Sequence, residues 1–119
     1  MSYSIRTQPD ESGCVVEVNG DIDSAASDTL EGALEAAAGV GEVNSPVIVD
    51  LSGTNFLDSR SIGILADWQA RMRASGGRLA LAGARPEVVR LFEMIGLDHA
   101  FEFYDDVALA RGDGDPRVN

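Results

Sequence analysis

Val47-Ile-Val-Asp-Leu51 is too short and too β-branched to be a helix, and Pro46 marks where it begins. On either side of it lie segments whose apolar residues fall at helical spacing. Upstream, Ala26, Leu30, Ala33, Leu34 and Ala37 form such a stripe within Ser24–Ala38. Asp23 or Ser24 can cap that helix, and Gly39-Val-Gly41 ends it. Downstream, a second helix opens near Asp58-Ser59, where acidic and hydroxyl side chains can take up free backbone N–H groups. It turns Leu65, Trp68 and Met72 inward, with Ile62 and Ile64 flanking, and stops at Ser75-Gly76-Gly77. A strand set between helices reaches its neighbours through crossover connections, so this segment points to parallel pairing in an α/β fold.

The rest of the chain extends the pattern. Tyr3 to Gln8 and Cys14 to Val18 read as strands of a hairpin joined at Pro9–Gly13, with Asn19–Asp23 as a break before the first helix. Arg78 to Ala82 is a strand of small and apolar residues, as expected where both faces are covered. Pro86 sits at the first turn of a third helix, and Val88, Leu91, Phe92 and Ile95 give it the cleanest amphipathic stripe, ended by Gly96. Phe101 to Phe103 reads as a short last strand, and Asp105 to Arg111 as a final helix capped by Asp105. The expected architecture is one α/β domain over residues 1–111: a mixed central sheet of about four or five strands with helices mainly on one face. Residues 112–119, with two Gly, a Pro and two Asp, read as a disordered tail.

Composition removes several function classes. Twenty acidic residues against nine arginines and no lysine give a formal net charge of −11. A chain this acidic repels phosphate backbones, so sequence-independent nucleic-acid binding is excluded. Without lysine there is no Schiff base and no P-loop. Asp50 at the end of a strand has the position of a receiver phosphoaspartate, but a receiver also needs a late lysine. The single Cys14 lies in an apolar run and reads as core. His99 stands alone, so neither a metal site nor a Ser-His-Asp triad has its histidine, and no cofactor or catalytic residue is expected. The N-terminus has no signal-peptide pattern and no window is apolar enough for membrane insertion, which suits a cytoplasmic setting.

Ligands and partners of such sheets engage beyond the carboxyl ends of the parallel strands. Two segments lie there: Asn19–Asp23, and Leu51–Gly63 leading into the second helix. The second places Ser59 and Ser61 in the first turn of a helix, where the macrodipole favours negative charge. A phosphate added there, beside Asp58, Asp21 and Asp23, adds about −1.5 to −2 charges and can switch off a contact with an acidic partner surface.

At this point the sequence resembles the STAS domains, specifically the bacterial anti-sigma factor antagonists. Val47 through Leu65 is similar to their signature of a hydrophobic strand, Asp-Leu, an aromatic or aliphatic pair, and Asp-Ser-Ser/Thr-Gly-Leu-Gly. Gly20-Asp-Ile-Asp23, Gly76-Gly-Arg-Leu-Ala-Leu81 and Val88 through Leu97 match three further stretches in the right order. The resemblance implies a non-enzymatic switch. Such a domain binds an anti-sigma factor, often a serine kinase with a GHKL-type ATP site, and so releases a sigma factor. The kinase inactivates it by phosphorylating a hydroxyl at the start of the second helix, and a phosphatase restores it. The implied partner surface comprises Asp21, Asp23, Ser24, Asn55, Asp58, Ser59, Arg60, Ser61 and Gly63.

The chain departs from the pattern at the acceptor. Asp58, Ser59 and Gly63 keep their places, but Arg60 stands at the acceptor position and Ser61 replaces the following glycine. One helical residue is about 100° of rotation, so Ser59 and Ser61, the remaining candidates for phosphorylation, point elsewhere. Arg60, with its five-donor fork, suits a carboxylate: Asp21, Asp23, Asp58 or one on the partner. Three consequences stand open: an antagonist its kinase does not silence, one phosphorylated at Ser61 or Ser59, or one regulated elsewhere. Two other functions belong to the same fold: a STAS accessory subunit of a lipid-transporting ABC system, and a STAS module that binds a nucleotide or small anion.

Overall fold

The computed structural model describes residues 2–10, 13–39, 46–112 and 116–117. Among these, five strands form one mixed sheet in the order β1-β2-β3-β4-β5. They are β1 (Tyr3–Asp10), β2 (Gly13–Ile22), β3 (Val47–Leu57), β4 (Leu79–Ala82) and β5 (Phe103–Tyr104). β1 and β2 pair antiparallel, and every later pair is parallel. The helices α1 (Ser24–Ala38), α2 (Ser59–Ala74) and α3 (Pro86–Met94) are the crossovers. Because strand order follows chain order and crossovers are right-handed, all three fall on one face. A 3₁₀ turn at Asp98–Ala100 precedes β5, and α4 (Val107–Arg111) packs on the opposite face.

Alternation along the strands builds the core. Val16, Val18, Val49, Leu51 and Leu81 turn toward the crossovers, meeting Leu30 and Leu34 of α1, Ile62 and Leu65 of α2, and Val88 and Phe92 of α3. Each large side chain buried here contributes about 1.5–3 kcal/mol. Phe92, Phe101 and Phe103 close the far end edge-to-face, with ring centroids 5.3–6.3 Å apart. Val15, Ile48, Ala80, Ala82 and Tyr104 face the other way, against Val107 and Ala110 of α4.

Several boundaries differ from the sequence expectation. β2 continues through Ile22 and β3 through Leu57, so most of the stretch expected as a break, and the residues that follow Leu51, are strand. Their pairing slips between Glu17 and Asn19 and again between Gly20 and Asp21. The buried Thr54 hydroxyl donates to Val18 O at 2.7 Å within the irregular stretch, which keeps a buried carbonyl satisfied. Gly20 adopts φ +90°, and a Cβ there would lie 2.4 Å from Ser2 O. α4 is capped by Asp106, which accepts from Leu109 N, and not by Asp105. Ile95 caps the end of α3 and leaves its stripe half exposed, with Gly96 at φ +74° beyond it.

Of the hairpin turn, residues 11–12 lie outside the described residues, as do 40–45 after α1 and 113–115 and 118–119 of the tail. Arg117, within that tail, lies along β5: its backbone N–H donates to Phe103 O at 2.6 Å and its guanidinium to Ala84 O and Asp105.

Candidate functional site

The carboxyl ends of β2 and β3 lie side by side, tied by Asp58 N–H donating to Ile22 O at 3.0 Å. Each strand feeds directly into a helix whose cap is an aspartate. Asp23 accepts from Ala25 N at 3.0 Å and Asp58 from Ser61 N at 2.8 Å. The two carboxylates thus satisfy otherwise unpaired N–H groups where the macrodipoles favour negative charge. This arrangement puts Asp21, Asp23, Ser24, Asn55, Asp58, Ser59, Arg60, Ser61 and Gly63 near the carboxyl ends of β2 and β3. Ser24 and Ser59 occupy equivalent exposed positions at the first residues of α1 and α2.

Arg60 does not pair with Asp21, Asp23 or Asp58. It reaches across to α1, donating to Asp28 at 2.9 Å and to the Ser27 hydroxyl. The caps engage Asp23 and Asp58 with their own helices, whereas Asp28 stands one turn along α1 with its carboxylate open to the guanidinium. Ser27 in turn donates to Ser24 O, which fixes its orientation. The ion pair itself is exposed at both ends and is worth at most about 1 kcal/mol. Its consequence is geometric: it lashes the first turn of α2 to α1.

Ser61 is the opposite case. It is fully buried, and its hydroxyl oxygen finds no hydrogen-bond partner among the described residues. The two candidate acceptors therefore differ sharply in access: Ser59 is exposed and Ser61 is sealed beneath the helix start. Gly63, one turn on, is exposed, and a Cβ built on it meets nothing within 4 Å. Steric conflict within the chain does not require a glycine there.

The sequence reading missed three contributors. Ser27 and Asp28 belong to the site because they anchor Arg60; their place one turn after the Asp23 cap was the available signal. Arg85 donates to Thr54 O at 2.6 Å and to the Asn55 side chain at 2.7 Å, pinning the end of β3. It directly precedes Pro86 at the carboxyl end of β4, which topology alone puts on this edge. Trp68 packs half-buried against the core, as expected, and also bridges helices: its Nε1 donates to Glu31 of α1, and the Arg71 guanidinium lies 3.9 Å from its ring centroid. Gln69 takes the buried place on α2 and accepts from Leu79 N at 2.8 Å.

Two aspartate-capped helix starts thus lie side by side on a mixed sheet, with Ser59, Arg60 and Gly63 exposed and Arg60 tied to α1. The family described as Mlab, STAS domain matches residues 5–109. The chain belongs to the STAS domain family. Among its relatives, Rv2638 of Mycobacterium tuberculosis, provisionally named an anti-anti-sigma factor, is 39% identical over 80 residues. That match covers 67% of this chain and 53% of the relative, so the chain spans about half the length of that protein. An anti-sigma F factor antagonist of Paenibacillus polymyxa is 24% identical over 106 residues, 89% of this chain and 90% of the other. The crystal structure of an anti-sigma factor antagonist from Mycobacterium paratuberculosis superposes with a TM-score of 0.76 at 26% identity, covering 90% of this chain and 89% of that one. Among the described residues, no helix is long and apolar enough to cross a membrane.

Proposed function

We propose that the chain is an anti-sigma factor antagonist that acts by binding an anti-sigma factor through Gly20–Ser24 and Asn55–Gly63 with the exposed side of α2. The observation that carries this reading is the edge itself: two capped helix starts held side by side, with an exposed glycine on α2 that its own fold does not need. The names of the relatives above point the same way. The mechanism is competition. Binding only has to outweigh the sigma factor's hold on the same partner, and each 1.4 kcal/mol of difference shifts occupancy about tenfold.

The partner is a GHKL-type serine kinase that meets an altered target. Arg60 fills the acceptor position with a cation tied to Ser27 and Asp28, so the usual transfer has no hydroxyl to use. Ser61 is buried, and modifying it requires the first turn of α2 to open. The protein is therefore an antagonist that its kinase does not silence at Arg60 or Ser61. Ser59 is the one hydroxyl of this turn that a kinase and a phosphatase could reach.

Affinity purification of the tagged protein from its native host, followed by mass spectrometry, tests the assignment. A histidine-kinase-like ATPase bound in proportion supports it. An ABC ATPase bound in its place, or stabilisation of the purified protein by nucleotides alone, refutes it in favour of the accessory-subunit or ligand-binding reading. Incubation with the recovered kinase and ATP then tests the regulation: phosphate mapped to Ser61 contradicts it.

A further inference from the structure

Five large apolar side chains are substantially exposed among the described residues: Tyr3, Phe56, Met94, Ile95 and Leu109. Three of them, Phe56, Met94 and Ile95, line a single open groove with Leu57, Ile62 and Leu91. It encloses about 320 Å³ between the end of β3, the first turns of α2 and the last turn of α3. Its origin is local. α3 stops at Met94, so Ile95 falls out of the helical stripe that Val88 and Phe92 bury, while the long β3 carries Phe56 past the core to meet it. Met94 is 74% exposed, a poor place for a methionine on a surface that otherwise carries charge.

We infer that this groove receives the apolar face of a partner helix that carries a basic residue beside its anchor. Three observations select that occupant. Among the described residues, the only charged side chain lining the groove is Asp58, whose Oδ1 caps α2 and whose second oxygen retains acceptor capacity for an incoming cation. The whole chain is at −11, which favours a basic partner and opposes an anionic membrane surface. The groove is also continuous with the edge described above, since Asp58 and Ser59 belong to both. An amphipathic helix laying anchors into an apolar groove is a recurrent mode of recognition, and methionine adapts readily to such anchors. The inference rests on the antagonist reading and deepens it: the anti-sigma factor grips α3 as well as the start of α2.

Two probes test it. The first is a pair of short amphipathic helical peptides that differ only in flanking their leucine stripe with arginine or with glutamate. The arginine peptide should shift the amide signals of Phe56, Ile62, Met94 and Ile95 and bind about tenfold more tightly than the glutamate peptide. Equal binding, or shifts elsewhere, overturns the inference. The second probe is the anti-sigma factor itself. Met94→Glu should weaken its binding about thirtyfold, the loss of one anchor, whereas Leu109→Glu on α4 leaves it unchanged. Asp58→Asn keeps the cap but removes the charge, and should weaken binding and flatten its salt dependence. If Met94→Glu binds as the parent does, the groove inference fails and the antagonist reading stands. If the peptides behave as expected but no anti-sigma factor binds, the antagonist reading fails and the groove keeps its basic helical occupant. A dimer of the free protein that Met94→Glu dissolves, or binding to zwitterionic vesicles that it abolishes, also overturns the inference.

Discussion

Gly63 lies on the exposed side of α2 within regular helix, and a methyl group at that position would touch nothing within 4 Å. Glycine in such a place costs a helix about 0.8–1 kcal/mol relative to alanine, because its backbone loses more freedom on folding. Gly63→Ala should therefore stabilise the fold by about that amount, raising the midpoint of thermal unfolding by roughly 3–6 °C for a domain of this size. Gly32→Ala on α1, equally open, should give a similar gain and calibrates it. If the glycine is there to let a partner approach α2 closely, the same methyl group must be accommodated in the complex. Overpacking of a close contact costs about 1–3 kcal/mol, so the affinity for the anti-sigma factor should drop by a factor of about 5 to 150. Denaturant unfolding read by Trp68 fluorescence gives the first quantity, and calorimetric titration with the partner the second. A Gly63→Ala protein that is both more stable and undiminished in binding would refute the idea that this surface is shaped for contact. One that is less stable would refute the description of α2.

Other consequences are separable. Ser61→Ala removes an unpaired buried hydroxyl and should leave stability unchanged or raise it by about 1 kcal/mol, measured by chemical denaturation; a loss larger than this would mean the hydroxyl is satisfied. Asp58→Ala should destabilise by about 0.5–2 kcal/mol through loss of the α2 cap, whereas Asp58→Asn should retain most of it. The Tyr104 phenol is held above its ordinary pKa, first by burial and then by the nearby Glu102 carboxylate. Its folded form keeps its proton where the unfolded chain would release it, so its contribution is intact below about pH 10 and is lost as pH rises through the folded value. Tyr104→Phe should remove that part of the alkaline loss of stability, followed by denaturant midpoints at successive pH values.

What the sequence made legible, and what it hid, divides along physical lines. Periodic segments announced themselves: α1 runs over the expected Ser24–Ala38, and the strand–helix succession led correctly to a mixed sheet with its crossovers on one face. The ends of β2 and β3 did not, because Asn19, Gly20, Asp21, Ser52 and Gly53 are residue types that favour turns. Those strands are extended by pairing with each other, and the Thr54 hydroxyl secures a buried carbonyl where their register slips. Helical spacing placed Trp68 against the core, and its indole N–H also finds Glu31 at the α1–α2 seam, while Gln69 is buried because it bonds a strand N–H. That the ends of β2 and β3 gather at one edge followed from topology. The pairing at that edge did not, because Arg60 had several carboxylates within sequence reach and only the packing of α1 against α2 selects Asp28.

The central claim is that this surface takes an anti-sigma factor away from its sigma factor. A preformed complex of the two, with the sigma factor fluorescently labelled, gives the direct measurement when the purified protein is added. The account predicts release of the sigma factor in step with the added protein, weakened by Gly63→Ala and, for a Ser59→Ala protein, persisting after incubation with kinase and ATP. A sigma factor that stays bound at excess of the wild-type protein would contradict it.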